Sequence, residues 1–148
     1  MTNDSLNRES LCDEKQKIIV LKDKGDCEYR ALNPATDKVA AYKVDGDLIK
    51  DGIRCDFLLL NNSLCDAYYI ELKGSDIRHA MEQIKQTVVR LGKLVAGYSP
   101  FYRIVYRTGT HSINDSSIVN WKRSCGLNNG REVVIVKQRK IEECINNI

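Results

Sequence analysis

Three charged residues of this chain are placed to do chemistry: Asp56, Glu71 and Lys73. Asp56 lies in the run Arg54-Cys55-Asp56-Phe57-Leu58-Leu59-Leu60. Glu71 and Lys73 lie in Ala67-Tyr68-Tyr69-Ile70-Glu71-Leu72-Lys73-Gly74. Both runs are apolar and strand-like, and charge embedded in such a run is costly unless it is paired or binds metal. The carboxylates of Asp56 and Glu71, with the Leu72 carbonyl as a possible third ligand, are hard oxygen donors suited to Mg²⁺ or Mn²⁺. A cation held there lowers the pKa of a bound water and neutralises charge building on a phosphorane. Lys73 would orient that water or stabilise the transition-state oxygens. The set suits phosphodiester hydrolysis.

The elements around these residues must bring them together. Asn61-Asn62-Ser63 is a turn signal between two short runs, so Cys55 to Asn61 and Ala67 to Lys73 are expected to form an antiparallel hairpin. Residues two apart share a face of a strand, so Glu71 and Lys73 are expected to point the same way, with Tyr69. Ile70 and Leu72 would point the other way, toward a helix. Asp56 joins the polar face only if it lies opposite Glu71 or Lys73, and a slip of one residue would destroy the site.

That helix is the clearest periodic signal. Ile77, Met81, Ile84, Val88, Leu91 and Val95 make an apolar stripe. Ser75 or Asp76 can cap its start, and Gly97 and Pro100 end it, giving a helix over about 76–96. The crossover from Lys73 to Phe101 is long enough to place the last two strands in parallel. Upstream, Cys27 to Leu32 and Val39 to Val44 read as strands, joined as a hairpin through Asn33-Pro34-Ala35-Thr36-Asp37. Lys17 to Leu21 reads as a short strand or a helix end. The first 16 residues read as a frayed helix. Downstream, Phe101 to Arg107 and Glu132 to Lys137 read as strands, and 108–130 as loop with a short helical piece near Ile118-Val119. The fold class is α/β, one domain with a mostly antiparallel mixed sheet.

Bulk charge says little, at a net of +3 over 148 residues. Its distribution says more, because residues 1–66 carry a net of −3 and residues 67–148 a net of +6. The second half could present a basic face to a polyanion. The six cysteines form no CxxC pair, and the two histidines lack zinc-ligand spacing. With no signal-like or membrane-length apolar run, they read as reduced thiols in a cytoplasmic protein.

Asp56 in an apolar strand, Glu71-x-Lys73 in its hairpin partner, and Gly74 followed at once by a helix together resemble the PD-(D/E)XK nuclease superfamily over about residues 54–107. The small Holliday-junction-resolvase-like and restriction-endonuclease-like branches are the most similar. The resemblance implies a restriction-endonuclease-like core, and Asp56, Glu71 and Lys73 as the two acids and the lysine. Cys55 stands where the family name has proline. Many members add a glutamine from the following helix, which would be Gln83. An aromatic residue often follows that glutamine by four; Thr87 stands there instead, which speaks against the RecB-like branch.

An upstream acid often completes the metal site, and Glu28 is the first candidate, with Glu9, Glu14 and Asp45 as alternatives. His79, Gln83 and Arg90 share a helical face that would reach phosphate or the site. Arg78, Arg103 and Arg107 are further candidates for nucleic-acid contact, as are Lys122, Arg123, Lys137, Arg139 and Lys140. Ordinary solvation is an equal alternative for the strand, loop and tail cations. His111 reads as a surface-loop histidine and Trp121 as a core or interface residue.

The expected function is therefore a metal-dependent nuclease, with DNA the substrate the resemblance implies and endonuclease action favoured. A chain without a separate target-recognition domain would need a homodimer or a partner protein to choose its sites. The rivals are a non-catalytic nucleic-acid-binding subunit on the same fold and a small interaction protein in which the acids pair structurally with Lys73 or Arg54.

Overall fold

A computed structural model describes residues 9–23, 25–72, 76–108 and 115–147, together with the backbone of Lys73. Among the described residues, two helices and ten strands follow one another. Strands β1 (Ile18–Lys22) and β2 (Glu28–Leu32) come first, then β3 (Val39–Lys43), β4 (Phe57–Asn61) and β5 (Asp66–Lys73). Helix α1 (Ile77–Leu91) leads to β6 (Ser99–Tyr106), and α2 (Ser116–Cys125) follows. The two-residue strands β7 (Leu127–Asn128) and β8 (Arg131–Glu132) precede β9 (Val134–Gln138) and β10 (Lys140–Cys144).

The five-stranded sheet has the order β3-β4-β5-β6-β9, antiparallel across β3, β4 and β5 and parallel from β5 to β9. The connection through α1 thus joins two parallel neighbours, as the length from Lys73 to Phe101 requires. A second sheet, β1-β2-β10, covers the opposite face. One apolar cluster lies between the large sheet and the helices, where Leu58, Leu60 and Tyr69 meet Ile77, Met81, Ile84 and Trp121. The other lies between the sheets, where Leu59, Tyr68, Ile70 and Leu72 meet Ile19, Tyr29 and Ile141. The class is α/β, with mixed sheets.

Helix α1 begins where Asp76 accepts the His79 N–H at 2.9 Å through Oδ1. Its regular part ends at Leu91 rather than near 96. Turns carry the chain from there to Gly97, whose φ of 87° is one that side chains disfavour. Ile77, Met81, Ile84 and Leu91 of the stripe are buried, and Val88 packs against the same cluster. Trp121 is a core residue, stacked on Tyr102 with ring centroids 5.5 Å apart.

Three expectations need correction. β2 and β3 do not form a hairpin; they lie in different sheets. The Asn33-to-Asp37 turn is tied down by buried Asn33, whose Nδ2 donates to the Gln16 and Asp37 carbonyls, each at 2.9 Å. Asn33 Oδ1 accepts from Asn146 Nδ2 at 2.7 Å, so the turn anchors to the chain after β10 and redirects it between sheets. Second, residues 9–16 contain no helix; the Leu11 N–H donates to Ala41 and the Val39 N–H to Glu14, both at 2.7 Å, so this segment runs beside β3. Third, Ile70 and Leu72 face the small sheet, and Ala67 and Tyr69 of β5 face the helix side. Ser75, His111 and residues 1–8 lie outside the described residues.

Candidate active site

The pairing of β4 with β5 sets Phe57 opposite Ile70 and Leu58 opposite Tyr69. Asp56 stands one residue before the start of β4, outside that ladder. Hydrogen bonds fix Asp56 on both sides. Its N–H donates to the Ile70 carbonyl at 3.2 Å, and its carbonyl accepts the Val44 N–H at 2.8 Å. Asp56 Oδ2 accepts the Leu72 N–H at 2.9 Å, so the carboxylate continues the ladder where the backbone of β4 has stopped.

This bond also orients Leu72. The N–H and C=O of one regular strand residue project to the same side, so the Leu72 carbonyl lies on the β4 side of β5. Glu71 is 1% exposed, on the α1 side of the sheet, and Asp56 is half-buried. Both carboxylates push up the pKa of the buried Cys55 thiol, although burial itself contributes most to that rise. Asp56 and Glu71 therefore both lie near the Cys55 thiol. Lys73 closes β5 two residues on, its backbone paired with Tyr106; the expected direction of its side chain lies outside what is described.

Helix α1 meets this corner directly. Gln83 Nε2 donates to the Arg54 carbonyl at 2.9 Å, while Gln83 Oε1 is buried and accepts no hydrogen bond among the described residues. The Cys55 N–H donates to Thr87 Oγ1 at 2.8 Å, and the Thr87 hydroxyl donates to the Gln83 carbonyl at 2.7 Å. Sequence reasoning named Thr87 only as the residue standing where an aromatic often follows the glutamine, not as a partner of the site. On its open side Asp56 lines a groove with Lys22, Asp23, Lys43, Asp45 and Phe57. Lys22 and Lys43 were not among the sequence candidates either; they lie far from Asp56 in the chain, and only the sheet topology brings them close.

Asp56, Glu71 and the Leu72 carbonyl form a set of hard oxygens whose chemistry fits Mg²⁺ or Mn²⁺. Among the described residues no group of three or more His, Cys, Asp or Glu side chains is gathered as a metal-holding set, so the backbone carbonyl is needed as a donor. Glu28, the first sequence candidate for the upstream acid, is surrounded by cations in this arrangement. Its carboxylate faces Lys22 at 3.3 Å, Arg30 at 3.3 Å and Lys140 at 3.8 Å. Desolvation pushes the Glu28 carboxyl up, and hydrogen bonds and charge from Lys22 and Arg30 outweigh it, leaving the pKa below the ordinary value. Asp45 is held by Arg54 at 2.8 Å, Glu14 by Lys38 at 3.8 Å, and Glu9 is exposed.

Arg103 cannot contact nucleic acid as expected from sequence, because it is 0% exposed. Its guanidinium pairs with Glu143 at 2.6 Å and donates to the carbonyls of Tyr102, Glu132 and Val133. Arg78 pairs with Asp115 at 2.7 Å and Arg90 with Asp51 at 3.3 Å, each on the surface. His79 is exposed on the first turn of α1, and Arg107 is exposed just past β6. Lys122 is half-buried on α2, whereas Arg123, Lys137, Arg139 and Lys140 are exposed. All six cysteines carry thiols, and no helix among the described residues is long and apolar enough to cross a membrane.

Comparison with protein-family models, with curated proteins and with solved structures finds no match to this chain.

Proposed function

We propose that this chain is a divalent-metal-dependent nuclease of PD-(D/E)XK type, cutting DNA as an endonuclease. The observation that carries the reading is the Asp56 carboxylate bonded at 2.9 Å to the N–H of Leu72, the residue next to Glu71 in β5. The β4–β5 hairpin, α1 and β6 are read as its restriction-endonuclease-like core. Asp56, Glu71 and the Leu72 carbonyl hold Mg²⁺ or Mn²⁺, which when bound lowers the pKa of water and neutralises charge on phosphorus. Lys73 orients the attacking water. Glu71 is the buried acid, and half-buried Asp56 meets the groove where substrate enters. Lys22 and Lys43 in that groove contact the phosphates on either side of the scissile bond. Site choice falls to a homodimer or to a partner protein.

The test is cleavage of supercoiled plasmid, linear duplex, single-stranded DNA and RNA with Mg²⁺, Mn²⁺ or EDTA. Metal-dependent cleavage lost in Asp56→Ala and Lys73→Ala is the expected result. No cleavage of any substrate, together with no metal-induced rise in melting temperature, would favour the non-catalytic subunit instead.

A further inference from the structure

The Arg54 carbonyl and the Cys55 N–H belong to one peptide group. Gln83 donates to its oxygen and Thr87 accepts from its nitrogen, at 2.9 and 2.8 Å. These two side chains stand four residues apart on α1, on neighbouring turns of one helix face. The peptide between Arg54 and Cys55 is therefore clamped at both ends by a helix rather than by a neighbouring strand. The regular pairing of β4 begins only at Phe57, so no strand ladder holds the chain at 54–55. The Thr87 hydroxyl is itself fixed, since it donates to the Gln83 carbonyl, which leaves its lone pairs for the Cys55 N–H. Thr87 is fully buried and so is Cys55. A buried amide deprived of its acceptor is costly, so this clamp resists displacement.

We propose that Thr87, acting with Gln83, is a positioning residue for Asp56: through the 54–55 peptide, α1 sets where the Asp56 carboxylate stands relative to Glu71. The inference rests on the nuclease reading for its catalytic consequence but not for the clamp itself. Gln83 then works through its amide nitrogen on the backbone, and its side chain is a support for the metal acid rather than a group that touches substrate. Groups that orient a ligand from outside the metal's own contacts bear on affinity for the metal, and here they act through the residue before Asp56.

The test uses Thr87→Val, which keeps the shape and removes the acceptor, and Thr87→Ser, which keeps the hydroxyl. Gln83→Met supplies a second route should the valine variant fail to fold. Amide hydrogen exchange and Mn²⁺-dependent plasmid cleavage are measured on each. The clamp predicts that the Cys55 amide exchanges fast in Thr87→Val and slowly in Thr87→Ser, with Leu58 and Leu59 protected in both. It further predicts that half-saturating Mn²⁺ rises about tenfold or more in Thr87→Val and Gln83→Met with KM for DNA unchanged, and returns to within about twofold of wild type in Thr87→Ser. Unchanged Cys55 exchange in a folded Thr87→Val would overturn the clamp. Fast exchange with unchanged Mn²⁺ dependence would overturn its coupling to Asp56. A Thr87→Ser variant as impaired as Thr87→Val would do so too. If wild type neither cleaves nor is stabilised by Mn²⁺, the nuclease reading fails and with it the catalytic coupling, while the exchange data still decide the clamp.

Discussion

Asp56 accepts the Leu72 amide through its side chain at 2.9 Å, using a carboxylate where an antiparallel partner would offer a carbonyl. The residue proposed to hold metal is thereby also a structural link between β4 and β5. The two roles separate by substitution. Asp56→Asn keeps an oxygen for the Leu72 N–H and should melt close to wild type. Asp56→Ala leaves that amide without its acceptor and should lose about 1 kcal/mol in urea denaturation, the low end for a half-buried group. Both should abolish metal-dependent cleavage. Cleavage retained by Asp56→Asn would remove Asp56 from the metal site.

Arg103 is buried against Glu143, which also accepts the Tyr29 hydroxyl at 2.7 Å. Among the described residues, removing Arg103 leaves Glu143 with only the Tyr29 hydroxyl and Arg131, the latter 3.8 Å away. Arg103→Met should therefore destabilise the protein by about 3–5 kcal/mol, and Arg103→Met combined with Glu143→Met should recover much of that loss. Equilibrium denaturation of the two variants checks both figures. A small loss in Arg103→Met alone would mean that Glu143 finds water when its partner leaves.

How much of this was legible in sequence differs element by element. The β4–β5 hairpin, the stripe of α1 and the parallel β6 follow from turn chemistry, period and crossover length. The face of β5 that meets α1 does not. Ala67 to Leu72 are all buried, because one layer covers each face of the sheet, and a strand buried on both sides has no polar face to read. Glu71 in a buried run was visible as an anomaly, but its side was not. β10 was missed because Lys140-Ile141-Glu142-Glu143-Cys144 buries only Ile141 fully, and Glu143 looks like surface until Arg103 is placed beside it. The Asn33 turn reads as an ordinary hairpin connection; its anchors, Gln16 and Asn146, are 17 residues before it and 113 after it.

Asp115 caps α2 by accepting the Ser117 N–H at 2.8 Å, and it also pairs with Arg78. Hydrogen bonds from the Ser117 side chain and backbone, then from Arg78, hold its carboxyl at about 2. A carboxyl lowered on folding stabilises the protein above its ordinary value near 3.8, and that contribution is lost as pH falls toward about 2. The α2 amides should exchange faster as pH drops through this window, once the intrinsic pH dependence of exchange is removed. Asp115→Asn, which keeps a cap but cannot titrate, should flatten the response. An equal response in that variant would assign the pH dependence to another group.

Glu28 was the first sequence candidate for an upstream metal acid, and the structure surrounds it with Lys22, Arg30 and Lys140. Three cations around one carboxylate oppose a fourth positive charge at the same oxygens unless the pairs first break. Glu28→Gln should therefore leave half-saturating Mn²⁺ for cleavage within about twofold of wild type, well short of the tenfold cost typical for loss of a metal support. Its effect should appear in stability instead. The lowered carboxyl stabilises the fold above its ordinary pKa and ceases to do so in acid, so the melting-temperature gap between Glu28→Gln and wild type should close as pH falls through the carboxylate range. A tenfold rise in the Mn²⁺ requirement, with the melting temperature unchanged, would return Glu28 to the metal site and make its ion pairs with Lys22, Arg30 and Lys140 a metal-free arrangement only.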